Sequence, residues 1–128
     1  MLAVTEYSPD HVNRCRRRIE ADVAAFSKLE ANGAAETAFF NNMVLSLDHY
    51  FLHRVRKNEG KDGNALNQVR IICDSLTHND GILAADKTIR ITPEDTILAL
   101  RVGDEIRLTA EDFRRLAKGF LAEIESRY

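Results

Sequence analysis

Tryptophan is absent from this chain, and proline and cysteine each occur only twice. Two cysteines, Cys15 and Cys73, are too few for a disulfide-stapled secreted scaffold. Both fall inside helical patterns and read as buried free thiols in a reducing compartment. No apolar run approaches the roughly 20 residues that a membrane helix needs. The opening MLAVTEYSPD carries no basic region followed by an apolar stretch, so the expectation is a soluble cytoplasmic protein with no membrane partner. Charge of one sign is not in excess either. The formal net charge is −2; residues 1–70 hold 10 Lys/Arg against 9 Asp/Glu, and residues 71–128 hold 8 against 11. That balance excludes a global electrostatic drive towards nucleic acid and leaves only local patches. Internal repeats and low-complexity segments are also missing.

What is present is an apolar content of 45% in 128 residues, enough for one domain with a single core. Ser8, Pro9 and Asp10 form a helix start, as N-cap, first helical residue and first-turn acid. Val12, Cys15, Ile19, Val23 and Phe26 then recur at spacings of three and four, which predicts a helix over about 9–31 closed by Asn32-Gly33. A second helix is expected over about 35–57. Its apolar residues, Phe39, Phe40, Met43, Val44, Leu47, Tyr50, Phe51 and Val55, form a stripe wider than one neighbour requires, which suggests a homodimer. The run NEGKDG ends it. A third helix follows over about 64–77, with Leu66, Val69, Ile72, Cys73 and Leu76 inward.

From Ile82 the period changes from 3.6 to 2: Ile89 and Ile91, Leu98 and Leu100, Ile106 and Leu108 alternate, separated by turn-forming TPED and VGDE. A small antiparallel β-hairpin or meander is therefore expected over about 82–108. Thr109 with Asp112 forms a capping-box pattern, and Phe113, Leu116, Ala117, Phe120, Leu121 and Ile124 give a fourth helix over about 110–127. The fold class is mainly α: a single-domain antiparallel four-helix bundle with a β insertion between the third and fourth helices.

Three polar clusters can carry chemistry. Arg70, Asp74 and His78 are each four apart on one face of the third helix. There an Asp can orient an imidazole, the imidazole can act as general acid or base, and the Arg can stabilise phosphate charge. The same spacing also describes a solvated helix face. In LDHYFLHRVRK, His49 and His53 sit at the spacing by which a helix offers two imidazoles to one divalent metal such as zinc. A third ligand would come from Asp48, Glu59, His11 or His78. As an alternative use, His53, Arg54 and Arg56 would bind an anion or a phosphate backbone. The RCRRR run at 14–18 wraps around the first helix, either as a solvated face paired with Glu20 and Asp22 or as part of a composite basic patch. GKDGN at 60–64 lacks the preceding strand and the Lys-Ser/Thr of a phosphate loop, and reads as an interhelical loop.

The segment CDSLTHNDGIL, preceded by LNQVR, resembles the motif region of the HEPN superfamily, small helical nucleotide-binding or ribonuclease domains of prokaryotic toxin and defence systems. VGDEIRLT resembles a segment of small uncharacterised bacterial proteins. The HEPN resemblance implies a dimerising up-and-down helical bundle in which a paired Arg and His cut RNA without a metal. On the motif, His78 matches the histidine, Asp74 the polar residue and Asn79-Asp80-Gly81 the following turn. Cys73 stands where the motif has arginine, and Arg70 lies one turn earlier. The expectation is a degenerate, HEPN-like binding module for RNA or nucleotide that needs no cofactor. If it cleaves, it does so as a metal-independent ribonuclease. The alternatives are a metal-binding bundle using His49 and His53, or a structural homodimer.

Overall fold

The computed structural model describes residues 3–128. Five helices carry it: α1 (Pro9–Ser27), α2 (Gly33–His49), α3 (Arg56–Glu59), α4 (Ala65–His78) and α5 (Ala110–Arg127). A single 3-10 turn spans Pro93–Asp95. Helix α5 packs against α1, α2 and α4, and α2 packs on α4. No helix among the described residues is long and apolar enough to cross a membrane.

The helix starts follow from their caps. Ser8 accepts a hydrogen bond from the His11 N–H, with Pro9 and Asp10 in the first turn. Asn64 Oδ1 accepts from the N–H groups of Leu66 and Asn67. Thr109 and Asp112 satisfy each other's backbone N–H in a complete capping box. One expected boundary moves. Asn32-Gly33 does not close α1, which ends at Ser27; it opens α2, with Asn32 Oδ1 accepting from Ala35 N–H at 2.8 Å.

The second helix, expected to reach residue 57, stops at His49. Residues 50–54 turn back on hydrogen bonds of 3-10 spacing, Phe51 N–H to Asp48 O and Leu52 N–H to His49 O among them. The turn buries Phe51 and Arg54 together, and α3 then supplies Glu59 beside Arg54.

The expected β-hairpin over 82–108 does not form. No strand exists among the described residues, and this region holds one isolated antiparallel bridge, Ile82 with Glu105. The alternation serves a different end. Leu83, Ile89, Ile106 and Leu108 are buried against the helices, and the backbone divides its hydrogen bonds between a short pairing of residues 81–83 with 103–106 and side chains of the helices. Asn41 on α2 donates to Ile106 O and accepts from Leu108 N–H. Gln68 on α4 accepts from Ile97 N–H and donates to Gly63 O. Ser75 accepts from Ala84 N–H while donating to Ile71 O.

The core is continuous from α1 to α5. Phe40, Phe51, Phe113 and Phe120 are its largest fully buried side chains, each contributing about 1.5–3 kcal/mol by burial. The surplus apolar face of α2, which suggested a second subunit, is covered within the chain. Phe39 stacks on Phe26 of α1 at 4.6 Å between ring centroids, and Phe40 meets the same ring edge-on at 5.1 Å. Cys15 and Cys73 are buried and free.

Candidate functional site: a cleft between the first two helices

The motif residues of α4 do not converge. Arg70 is half-buried, and its Nε lies 3.0 Å from Glu59 Oε2, paired with that carboxylate but out of line for a hydrogen bond. His78 is the last residue of α4 and is exposed, as is Asp74. Eight residues of helix rise separate Arg70 from His78 by about 12 Å along the axis. One phosphate cannot touch both within this chain. Cys73, at the position of the motif arginine, faces the core. Burial first, and the nearby Asp48 and Asp74 carboxylates second, push its thiol up to about 12.

The expected anion site at His53, Arg54 and Arg56 is turned inside out. Arg54 donates through Nε to Glu59 at 2.9 Å, and through Nη1 to Asp48 and the Phe51 carbonyl, both at 3.0 Å. Its guanidinium lies over the Phe120 ring at 5.4 Å. Burial acts to lower its pKa, but the Asp48 and Glu59 carboxylates hold it above its ordinary value. Glu59 also accepts from Arg56 at 3.0 Å and from Asn67 at 3.2 Å. Arg54 therefore has no face towards solvent. Arg56 is tied to the same carboxylate, and only His53 is exposed and unengaged through its ring among the described residues. The chain's first described segment is fastened here: Val4 exchanges backbone hydrogen bonds with His53 and Val55, and Tyr128 Oη donates to Val55 O. Asn67 and Glu59, central to this junction, carried no motif. Glu59 fell in the NEGKDG run that reads as the end of the second helix, and Asn67 lay outside the apolar stripe of the third.

The helical histidine pair is also lost. His49 ends α2 and His53 lies in the turn beyond it, so the two do not share a helix face. Asp48 and Glu59 are held by Arg54. His11 Nε2 lies 2.8 Å from the Tyr50 carbonyl, and a carbonyl can only accept, so that nitrogen carries its proton and is no metal ligand. Among the described residues no three His, Cys, Asp or Glu side chains gather in a metal-binding set.

What the fold does bring together is one half of each of the other two clusters. Arg18 and Asp22 of α1 face Leu45, Ser46, His49 and Tyr50 across an open cleft of about 530 Å³. Arg18 and His49 are both exposed; Tyr50 is half-buried, with its ring 6.1 Å from that of His11. The Arg18–Asp22 pair, 3.3 Å apart one helical turn along, is solvated and holds the guanidinium weakly. A guanidinium paired with the Asp22 carboxylate, an imidazole, a hydroxyl and an aromatic ring thus share one concave surface. That set can bind a phosphate and stack a planar group. The signal for it lay in the flanks. Arg18 precedes core residue Ile19 and His49 follows core residue Leu47 by two, so both border the stripe by which their helix is buried. Ser46 carried no signal at all. Compared with protein-family models, curated proteins and solved structures, the chain matches none.

Proposed function

We propose that this protein is a non-catalytic binding module for RNA, holding backbone phosphate in the α1/α2 cleft through Arg18 and His49 with Tyr50 beside a base. The observation that carries this reading is that Arg18 and His49 line one open cleft. The likeness to HEPN domains and a homodimeric state belong to the same proposal. A dimer would double the cleft and raise affinity for a long strand through multivalency. Cleavage is not part of the proposal. Its arginine is engaged by Glu59 and its histidine stands about 12 Å away.

The test is fluorescence anisotropy with a labelled single-stranded RNA, with mononucleotide as competitor, over a range of salt. Wild-type protein binds, affinity falls as salt rises, and the Arg18→Ala/His49→Ala double variant weakens binding about tenfold or more. Equal binding by that variant, or no binding at low salt, defeats the proposal. In parallel, end-labelled RNA is incubated with protein in EDTA. It stays intact; cleavage lost in His78→Ala would restore the nuclease reading.

A further inference from the structure

The α1/α2 cleft has almost no charge of its own with which to hold a phosphate. Among the described residues its permanently charged lining groups are Arg18 and Asp22, and Asp22 Oδ2 accepts from Arg18 Nε at 3.3 Å. Opposite charges one helical turn apart largely cancel for a ligand that enters between them and solvent. Leu45, Ser46 and Tyr50 complete the lining and bring no formal charge to offset Asp22. His49 is the remaining group. It closes α2 and is exposed, and histidine is the side chain whose charge changes between about pH 5 and 8.

The neighbouring ionisable groups are committed elsewhere. Asp48, the residue before His49, accepts from the buried Arg54. His11 of α1 lies behind Tyr50, gives its Nε2 proton to the Tyr50 carbonyl and does not line the cleft. Arg14, one turn before Arg18, and His53, beyond the chain reversal, are exposed and lie outside the lining as well. The cleft therefore has no net charge while the His49 imidazole is neutral and a single positive charge once it is protonated.

We propose that His49 makes the cleft an acid-gated RNA site, which holds a backbone phosphate when the imidazole carries its proton and releases it as that proton leaves. The gate rests on the RNA reading and adds the condition under which the cleft keeps its strand. Proton and phosphate are linked ligands, so each strengthens the binding of the other by the same factor. One charge brought beside a phosphate in solvent is worth about fivefold in affinity. Asp22 sets the gate: with its carboxylate removed, Arg18 leaves the cleft positive whether His49 is protonated or not.

The experiment is fluorescence anisotropy of the whole chain with a labelled oligouridylate, whose bases stay uncharged over the range, at about pH 5.5 and 7.5 and fixed salt. Wild-type affinity is expected to be about fivefold higher at the lower pH. His49→Gln holds the weaker affinity at both, His49→Arg holds the stronger affinity at both, and Asp22→Asn raises affinity at the upper pH. His53→Gln keeps the wild-type dependence. Calorimetry in two buffers of different ionisation enthalpy reads proton uptake on binding by wild type and none by His49→Gln. Equal wild-type affinity at the two pH values, a dependence that survives in His49→Gln, or one that disappears in His53→Gln overturns the proposal. Absence of binding at both pH values defeats the RNA reading and the gate with it, so the two failures are told apart.

Discussion

His49 and Arg54 stand five positions apart and meet opposite fates. His49 closes α2 at the edge of an open cleft, while the Arg54 side chain is wholly buried between Asp48, Glu59 and the Phe120 ring. The backbone reversal at residues 50–53 separates them. The difference shows that a basic run is not a surface until the path of the chain is known. An arginine buried between internal carboxylates is part of the scaffold, whereas one paired on a solvated helix flank can exchange its partner for a ligand.

The sharpest way to break this comparison is at the junction. Arg54→Met leaves Glu59 and Asp48 without their buried partner and is expected to cost about 3–5 kcal/mol in urea unfolding. The Arg54→Met/Glu59→Gln pair should lose less than the two single changes combined, because each alone strands a charge. A loss below about 1 kcal/mol for Arg54→Met would show that the junction is ornament. Asn41→Ala comes next. It abandons Ile106 O and Leu108 N–H together, for about 1–3 kcal/mol by the same measurement.

A smaller effect is set by the two thiols. Burial raises Cys15 to about 11 and Cys73 to about 12. A group whose folded pKa is raised contributes fully below its unfolded value and loses that contribution as pH rises towards the folded one. Stability should therefore fall between about pH 9 and 12, by about 1 kcal/mol per thiol at pH 10. Cys73→Ala should flatten the decline relative to wild type; an unchanged slope would place that thiol in water. The smallest effect belongs to the cleft. Arg18→Ala and His49→Ala should each alter stability by no more than about 0.5 kcal/mol, since neither supports the core. A larger loss would make the cleft scaffold too and erase the contrast.

Periodicity reported the four long helices well because burial of one stripe is what fixes a surface helix, and the Ser8, Asn64 and Thr109 caps act locally. It failed where long-range partners override the local pattern. The stripe of α2 continues through Phe51 and Val55, yet burial of Arg54 with Glu59 turns the chain at residue 50. Alternation over 82–108 marked which residues are buried but not what satisfies the backbone between them, since a period of two is the same for a strand and for an extended segment laid on helices. For the site, the residue types were legible and their grouping was not. Arg18 pairs with Asp22 on its own helix and lines a cleft with His49, Arg54 turns inward, and Arg70 is claimed by Glu59.

Asn41, Gln68 and Ser75 hold main-chain atoms of Ile106, Leu108, Ile97 and Ala84, not their side chains. The route of residues 82–108 is consequently set jointly by the helices and by the loop's own turns, which Asp86 and Asp104 hold by accepting from nearby backbone N–H groups. Its exposed positions, such as Lys87, Thr88, Arg101 and Arg107, are free to be rewritten. A foreign sequence of equal length that retains Leu83, Ile89, Ile106 and Leu108 as anchors, with Asp86, Gly103 and Asp104 in the turns, should inherit the same course. The molecule thereby offers a display surface whose shape rests on a few anchors and turns and not on its exposed side chains.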